Sequence, residues 1–260
     1  MNVFRLITLA CLFLCSGFLF GQEPTQEPFL LDKSVLSGVG LKKIPLKNEP
    51  EKDFHQKRLF RGEDISIYVV STETWNNKMD NFAFDEFIYM FHGEAIVKPK
   101  EGKTQLFQSQ DYFFAPKGFT GEWEIKAGEH LHYELSVITT KRADSSLKSQ
   151  DLSHQLFDRS TLSGAHIKLD TDGKYHEVLR KGVELTISLQ AEKPGNRTLK
   201  DSKEMLVQLL SGQVSMKMVD GSSKTFYSGD FFVLPNGVDV EWISEGHGLV
   251  KYLTVEKTMS

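Results

Sequence analysis

The stretch DYFFAPKGFTGEWEI, Asp111 to Ile125, returns as DFFVLPNGVDVEWIS, Asp230 to Ser244. At a constant offset of 119, Gly93 matches Gly212, Lys98 Lys217, Gly102 Gly221, Phe107 Phe226, Asp111 Asp230, Pro116 Pro235, Gly118 Gly237, Glu122 Glu241 and Trp123 Trp242. Ungapped identity on that scale marks two copies of one unit. The segments leading into the copies also agree, LDKSVLSG from Leu31 with FDRSTLSG from Phe157.

The period within each copy fixes its class. AIVKP and VSMKMV place Ala95 and Val97, and Val214, Met216 and Met218, on single faces of extended chain. IYVV and LTISL are short and β-branched, and Gly or Pro punctuates the chain every few residues, which is the pattern of an all-β domain. Hairpin turns fall at Glu101-Gly102 and Asp220-Gly221, the latter a dipeptide suited to positive φ. The expected architecture is two tandem jelly-roll β-barrels arising from an internal duplication. The expected divisions are a signal peptide at 1–21, an N-terminal extension at 22–52, a first barrel at 53–140, a linker at 141–175 and a second barrel at 176–257. The polar stretch from Leu147 to Phe157 is the best place for a turn or two of helix.

The first residues, MNVFRLITLACLFLCSGFLFGQEP, set one cation before an apolar run and a small residue, the layout of a secretory signal. A periplasmic or extracellular protein is expected. An uncleaved anchor fits less well, because the run is interrupted by Thr8, Ser16 and Gly17. A lipoprotein also fits less well, because bulky Leu14 precedes Cys15. Cleavage near Gly21 removes both cysteines, leaving a mature chain without disulfide, thiolate ligand or thiol nucleophile. That chain carries 30 cations against 35 anions and no basic stripe, so nucleic acid is excluded as a natural partner.

FDEFIYMFHGEAIVKPKEGKTQLFQSQDYFFAPKGFTGEWEI resembles a cupin, and within the cupins the branch related to ureidoglycine aminohydrolase and the ethanolamine-utilisation proteins. The second copy resembles the same domain in more degenerate form, so the whole is similar to a bicupin. The resemblance implies a divalent metal held by three histidines and a glutamate on neighbouring strands. In the first copy those positions hold Asp80, Phe82, Glu86 and Gly121, and in the second Leu199, Asp201, Met205 and Val240. One ligand of eight remains, and no metal cofactor is expected.

Bulk replaces the ligands. Strand alternation carries Gly121 to Trp123 and Val240 to Trp242 inward, so each barrel is expected to hold an indole near the family's metal position. Glu86, Trp123, Trp242 and Tyr133 are the candidate ligand-binding residues, with Glu86 the candidate acid or base. A lone interior carboxylate is costly unless bonded. Asp80 and Asp85 read as a solvated pair beside it. In EHLHYEL, His130 and His132 stand two apart, with Glu134 next on that face, acceptable spacing for zinc or nickel. The apolar set Leu131, Tyr133 and Leu135 between them turns the histidines to the outer or inter-sheet face.

No G-x-S-x-G elbow, H-E-x-x-H helix or phosphate-cradling glycine loop is present. Two readings stay open: a metal-free binding or structural module, and an enzyme on a small polar metabolite or carbohydrate working through Glu86. Glu86 against Met205 makes the first barrel the working one and the second a scaffold. Pairing into a homodimer through outer sheets fits either reading.

Overall fold

The computed structural model describes residues 27–46 and 49–259. The expected signal peptide lies outside the described residues. In chain order the first half carries β1 (Phe29–Leu30), α1 (Lys33–Leu36), β2 (Lys42–Lys43), β3 (Phe54–Arg61), β4 (Ile65–Thr72), β5 (Trp75–Met79), β6 (Glu86–His92), β7 (Glu94–Pro99), β8 (Gln105–Gln108), β9 (Tyr112–Ala115), β10 (Gly121–Lys126) and β11 (His132–Thr139). The second half carries β12 (Gln155–Phe157), α2 (Arg159–Ser163), β13 (Lys174–Lys181), β14 (Leu185–Glu192), β15 (Gly195–Leu199), β16 (Met205–Ser211), β17 (Gln213–Met218), β18 (Ser223–Tyr227), β19 (Phe231–Leu234), β20 (Val240–Glu245) and β21 (Val250–Lys257).

Each copy folds as a jelly roll because its strands alternate between a large and a small antiparallel sheet. In the first barrel the large sheet runs β12-β9-β6-β11-β4-β3-β2 and the small one β5-β10-β7-β8. The second barrel repeats this with β1-β19-β16-β21-β14-β13 and β15-β20-β17-β18. The expected alternation holds: Ala95, Val97 and Trp123 fill the first interior, and Val214, Met216, Met218 and Trp242 the second.

The two large sheets pack outer face to outer face. Ile65, Ile67, Val69, Leu135 and Val137 meet Leu185, Ile187, Leu189, Leu253 and Val255 in a third core between the barrels. Large-sheet strands are therefore buried on both sides, which explains the near-continuous burial of β4.

The lead-in segments cross over. β1, which precedes the first barrel, pairs with β19 of the second, while β12 pairs with β9 of the first. The helix in each lead-in is short and capped by its own aspartate: Asp32 accepts Ser34 N–H, and Asp158 accepts Ser160 and Thr161 N–H. These two helices lie in the repeated D-[KR]-S motif. The helical turn expected between Leu147 and Phe157 is absent there, because Gln155–Phe157 is drawn out as the edge strand of the first barrel.

Asp85 corrects another expectation, being fully buried rather than solvated. Its Oδ1 accepts Lys117 N–H at 2.8 Å and the Ser149 hydroxyl at 3.0 Å, and its Oδ2 accepts Glu184 N–H at 2.6 Å. Lys117 Nζ in turn meets Glu184 Oε1 at 2.9 Å and donates to the carbonyls of Ala83 and Ala143. Asp80 is exposed, so the two aspartates form no cluster.

Candidate functional site

The polar residues of the first interior come from β6 and β11, neighbours in register with Ser136 opposite Ile88 and Glu134 opposite Met90. Alternation turns Glu86, Ile88 and Met90 inward from one strand, and His132, Glu134, Ser136 and Ile138 inward from the other. Glu86 accepts the Ser136 hydroxyl. His132 Nε2 and Glu134 Oε2 lie 2.8 Å apart, leaving His132 Nδ1 without a partner. Burial, reinforced by the Glu134 charge and opposed by the Ser136 bond, pushes the Glu86 carboxyl up to about 8.

This arrangement corrects the reading of EHLHYEL. His132 and Glu134 face the first interior, and Tyr133, Leu135 and Val137 face the other way, the last two in the core between the barrels. His130 lies in the loop before β11 with its side chain exposed, its ring centroid 5.7 Å from that of His92. His130 and His132 therefore do not share a face and form no ligand pair. Tyr133, half-buried and packed where a Gly38 side chain would stand, is separate from Glu86.

Trp123 does reach the first interior, but with a neighbour that sequence reading placed in the linker. His154, 2% exposed, lies just before β12, its ring centroid 5.2 Å from Trp123 and 4.5 Å from Phe119. Neither of its ring nitrogens has a hydrogen-bond partner, nor does Trp123 Nε1. Burial lowers the His154 pKa to about 3, so the ring is neutral. Extended three residues back, the match of the lead-in segments sets His154 opposite Pro28, a mismatch that gives no sign of its burial. The room beside Gly121 is taken: a Cβ there would meet the Phe119 ring and the backbone of Lys98 and Pro99.

Trp242 sits differently. Its Nε1 donates to Glu192 Oε1 at 2.6 Å, and the Arg197 guanidinium lies 4.7 Å from its ring centroid. Arg197 pairs with Glu192 and donates to Tyr252 Oη at 3.1 Å, and Tyr252 donates to Gln190. This network, beside a cavity of about 180 Å³, satisfies itself. Its members were not singled out in the sequence, because Glu192 ends β14 and Arg197 lies in β15, strands of different sheets, and both read as surface charge.

The pseudo-equivalent strands show what differs between the barrels. Glu86 is replaced by Met205, and the matching register of β11 and β21 sets His132, Glu134 and Ser136 against Val250, Tyr252 and Thr254. The sequence model of the EutQ-like cupin domain matches residues 67–133. The first barrel therefore carries a cupin domain.

The chain is similar in structure to proteins of the same two-barrel length. A Pseudomonas syringae protein of unknown function aligns with a TM-score of 0.65 at 17% identity, covering 90% of this chain and 100% of that one. A cupin 2 conserved barrel domain protein from Leptotrichia buccalis gives 0.59 at 12%, covering 92% and 99%. The salicylate 1,2-dioxygenase of Pseudaminobacter salicylatoxidans gives 0.62 at 10%, covering 94% and 89%. At such identities the likeness is one of fold. No curated protein matches.

The residues at the cupin ligand positions do not fit a metal. Phe82 is packed against Trp123, Asp80 points to solvent, Gly121 has no donor, and Glu86 is bonded to Ser136. Among the described residues, no three His, Cys, Asp or Glu side chains stand close enough together to hold an ion.

Proposed function

We propose that the chain is an exported bicupin whose first barrel binds a small polar molecule, a polar metabolite or a carbohydrate, without a metal, while the second barrel serves as scaffold. The observation that carries this reading is the unpaired state of Trp123 Nε1 and of both His154 ring nitrogens inside the first barrel. Buried polar groups are ordinarily bonded, and orphans mark a site completed by something else. In the second barrel the same indole is bonded to Glu192, and buried Pro28 takes the place of His154.

The chemistry of the site favours a ligand rich in hydrogen-bonding groups. Trp123 Nε1 donates, His154 offers a donor and an acceptor, and Glu86, protonated at neutral pH, offers both. A charged ligand finds no free counter-charge in this set. Native mass spectrometry of the untagged chain with a pool of polar metabolites tests the reading. A bound small molecule, lost in Trp123→Phe and His154→Phe, is expected; a chain that retains nothing, or binds equally in both variants, rejects it. Export is tested by the mass of protein recovered from a secreting host, expected to begin near residue 22.

The raised carboxyl of Glu86 favours one alternative, an enzyme in which it acts as general acid or base. Turnover of a metabolite, abolished in Glu86→Gln, would select that reading.

A further inference from the structure

A second place for a ligand lies outside both barrels. Where β6 and β9 face β16 and β19, beside α1, the two large sheets part into a cleft of about 520 Å³, a size typical of small-molecule sites. Its wall is aromatic: Tyr89 lies with its ring centroid 4.9 Å from Phe91, 4.4 Å from Tyr112 and 5.3 Å from Phe231. The repeat explains the asymmetry of that wall. Tyr89 and Tyr112 correspond to Gln208 and Phe231 at the offset of 119, so one copy contributes phenols and the other an amide and a phenyl ring.

Gln208 is the polar centre. It is 6% exposed and leaves its Oε1 without a partner. Burial raises both the Tyr89 and the Tyr112 phenols, keeping them neutral. Among the described lining residues the one charged side chain is Lys33, and its ammonium is already engaged by Asp230 at 2.6 Å. The cleft thus presents flat aromatic faces, an orphan amide oxygen and neutral hydroxyls, with no unpaired charge.

We propose that this inter-barrel cleft binds an uncharged sugar ring. An aromatic face accepts the apolar C–H face of a pyranose, the Gln208 Oε1 accepts a sugar hydroxyl, and the phenols complete the contacts. An anionic or cationic ligand would have to break the Lys33–Asp230 pair to find a counter-ion. The site is independent of Glu86, Trp123 and His154, so either proposal stands without the other.

Saturation-transfer NMR on the untagged full chain, titrated with methyl glucoside, methyl galactoside and N-acetylglucosamine, tests it. Saturable binding of at least one sugar is expected, weakened about tenfold or more by Tyr89→Ala and by Gln208→Leu. Tyr89→Phe, which keeps the packing, is expected to weaken it less, and the surface variant Asp80→Ala to leave it unchanged. Absence of saturation transfer from all three sugars would overturn the proposal. So would binding that survives in both cleft variants, binding lost equally in Asp80→Ala, or a preference for glucose 6-phosphate or glucosamine over the neutral sugars.

Discussion

Asp85 and Glu204 occupy the same position of the two copies, and each holds a turn of the other barrel. Asp85 accepts the N–H of Glu184 at the β13–β14 turn, and Glu204 accepts those of Glu63, Asp64 and Ile65 at the β3–β4 turn, the last at 2.7 Å. The glycines opposite them, Gly182 and Gly62, match as well: a side chain on either would overlap the carboxylate it faces. Duplication has thus produced a reciprocal latch across the apolar layer between the sheets. It orients the barrels, and with them the lead-in segments that cross between them.

Removing one arm of that latch leaves several buried N–H groups unbonded, and at Asp85 it also disturbs the Lys117–Glu184 pair. Asp85→Ala is expected to cost about 3 kcal/mol or more, and Glu204→Ala about 2 kcal/mol, in urea unfolding. Asp80→Ala, on the surface, is expected to change stability by less than about 0.5 kcal/mol. Equal effects at Asp80 and Asp85 would refute the latch.

Stability should fall as the pH is raised from about 4.5 to about 8, through Glu86. Its folded carboxyl titrates at about 8 against an ordinary 4.5, so the folded state keeps a proton that the unfolded chain releases. The stabilisation is complete below 4.5 and lost as pH rises through 8, at up to about 1.4 kcal/mol per pH unit within that interval. Glu86→Gln, which mimics the protonated acid, is expected to flatten the melting temperature across that interval.

His154 gives the opposite slope. Its folded pKa of about 3 lies below the ordinary 6.5, so its stabilisation is present above 6.5 and lost as pH falls toward 3. His154→Phe keeps a ring among Phe107, Phe113, Phe119 and Trp123, and should raise the melting temperature at pH 5 relative to the parent protein. An unchanged acid limb would show that His154 is not buried as described.

The two indoles should respond differently to the same substitution. Trp242→Phe strands Glu192 and is expected to destabilise by about 2 kcal/mol beyond the loss of ring volume. Trp123→Phe forfeits no hydrogen bond, and its cost is expected to be that of packing alone. Thermal or urea unfolding of the pair, run side by side, reads the difference.

What the sequence disclosed and what it concealed have physical causes. The duplication, the hairpin at Asp220-Gly221 and the inward Trp123 and Trp242 follow from local turn chemistry and period, and they hold. The face of β11 did not follow, because Tyr133 and Leu135 were read as the only buried set on a strand that is buried on both sides. His132, Glu134 and Ser136 therefore turned out to be interior. His154 escaped because its segment belongs in sequence to the linker and in space to the first barrel, a crossing that no local pattern records. Asp85 reads as an ordinary surface carboxylate, and its partners lie between 32 and 100 positions away.

The proposed site of the first barrel works without the metal common among cupins. Elemental analysis of the untagged chain, after exposure to manganese, iron, nickel and zinc and subsequent dialysis, measures it directly. Well under one equivalent of any metal, in the parent protein and in Glu86→Gln alike, is the predicted result. Close to one equivalent that disappears in Glu86→Gln would contradict it and return Glu86 to the role of a ligand.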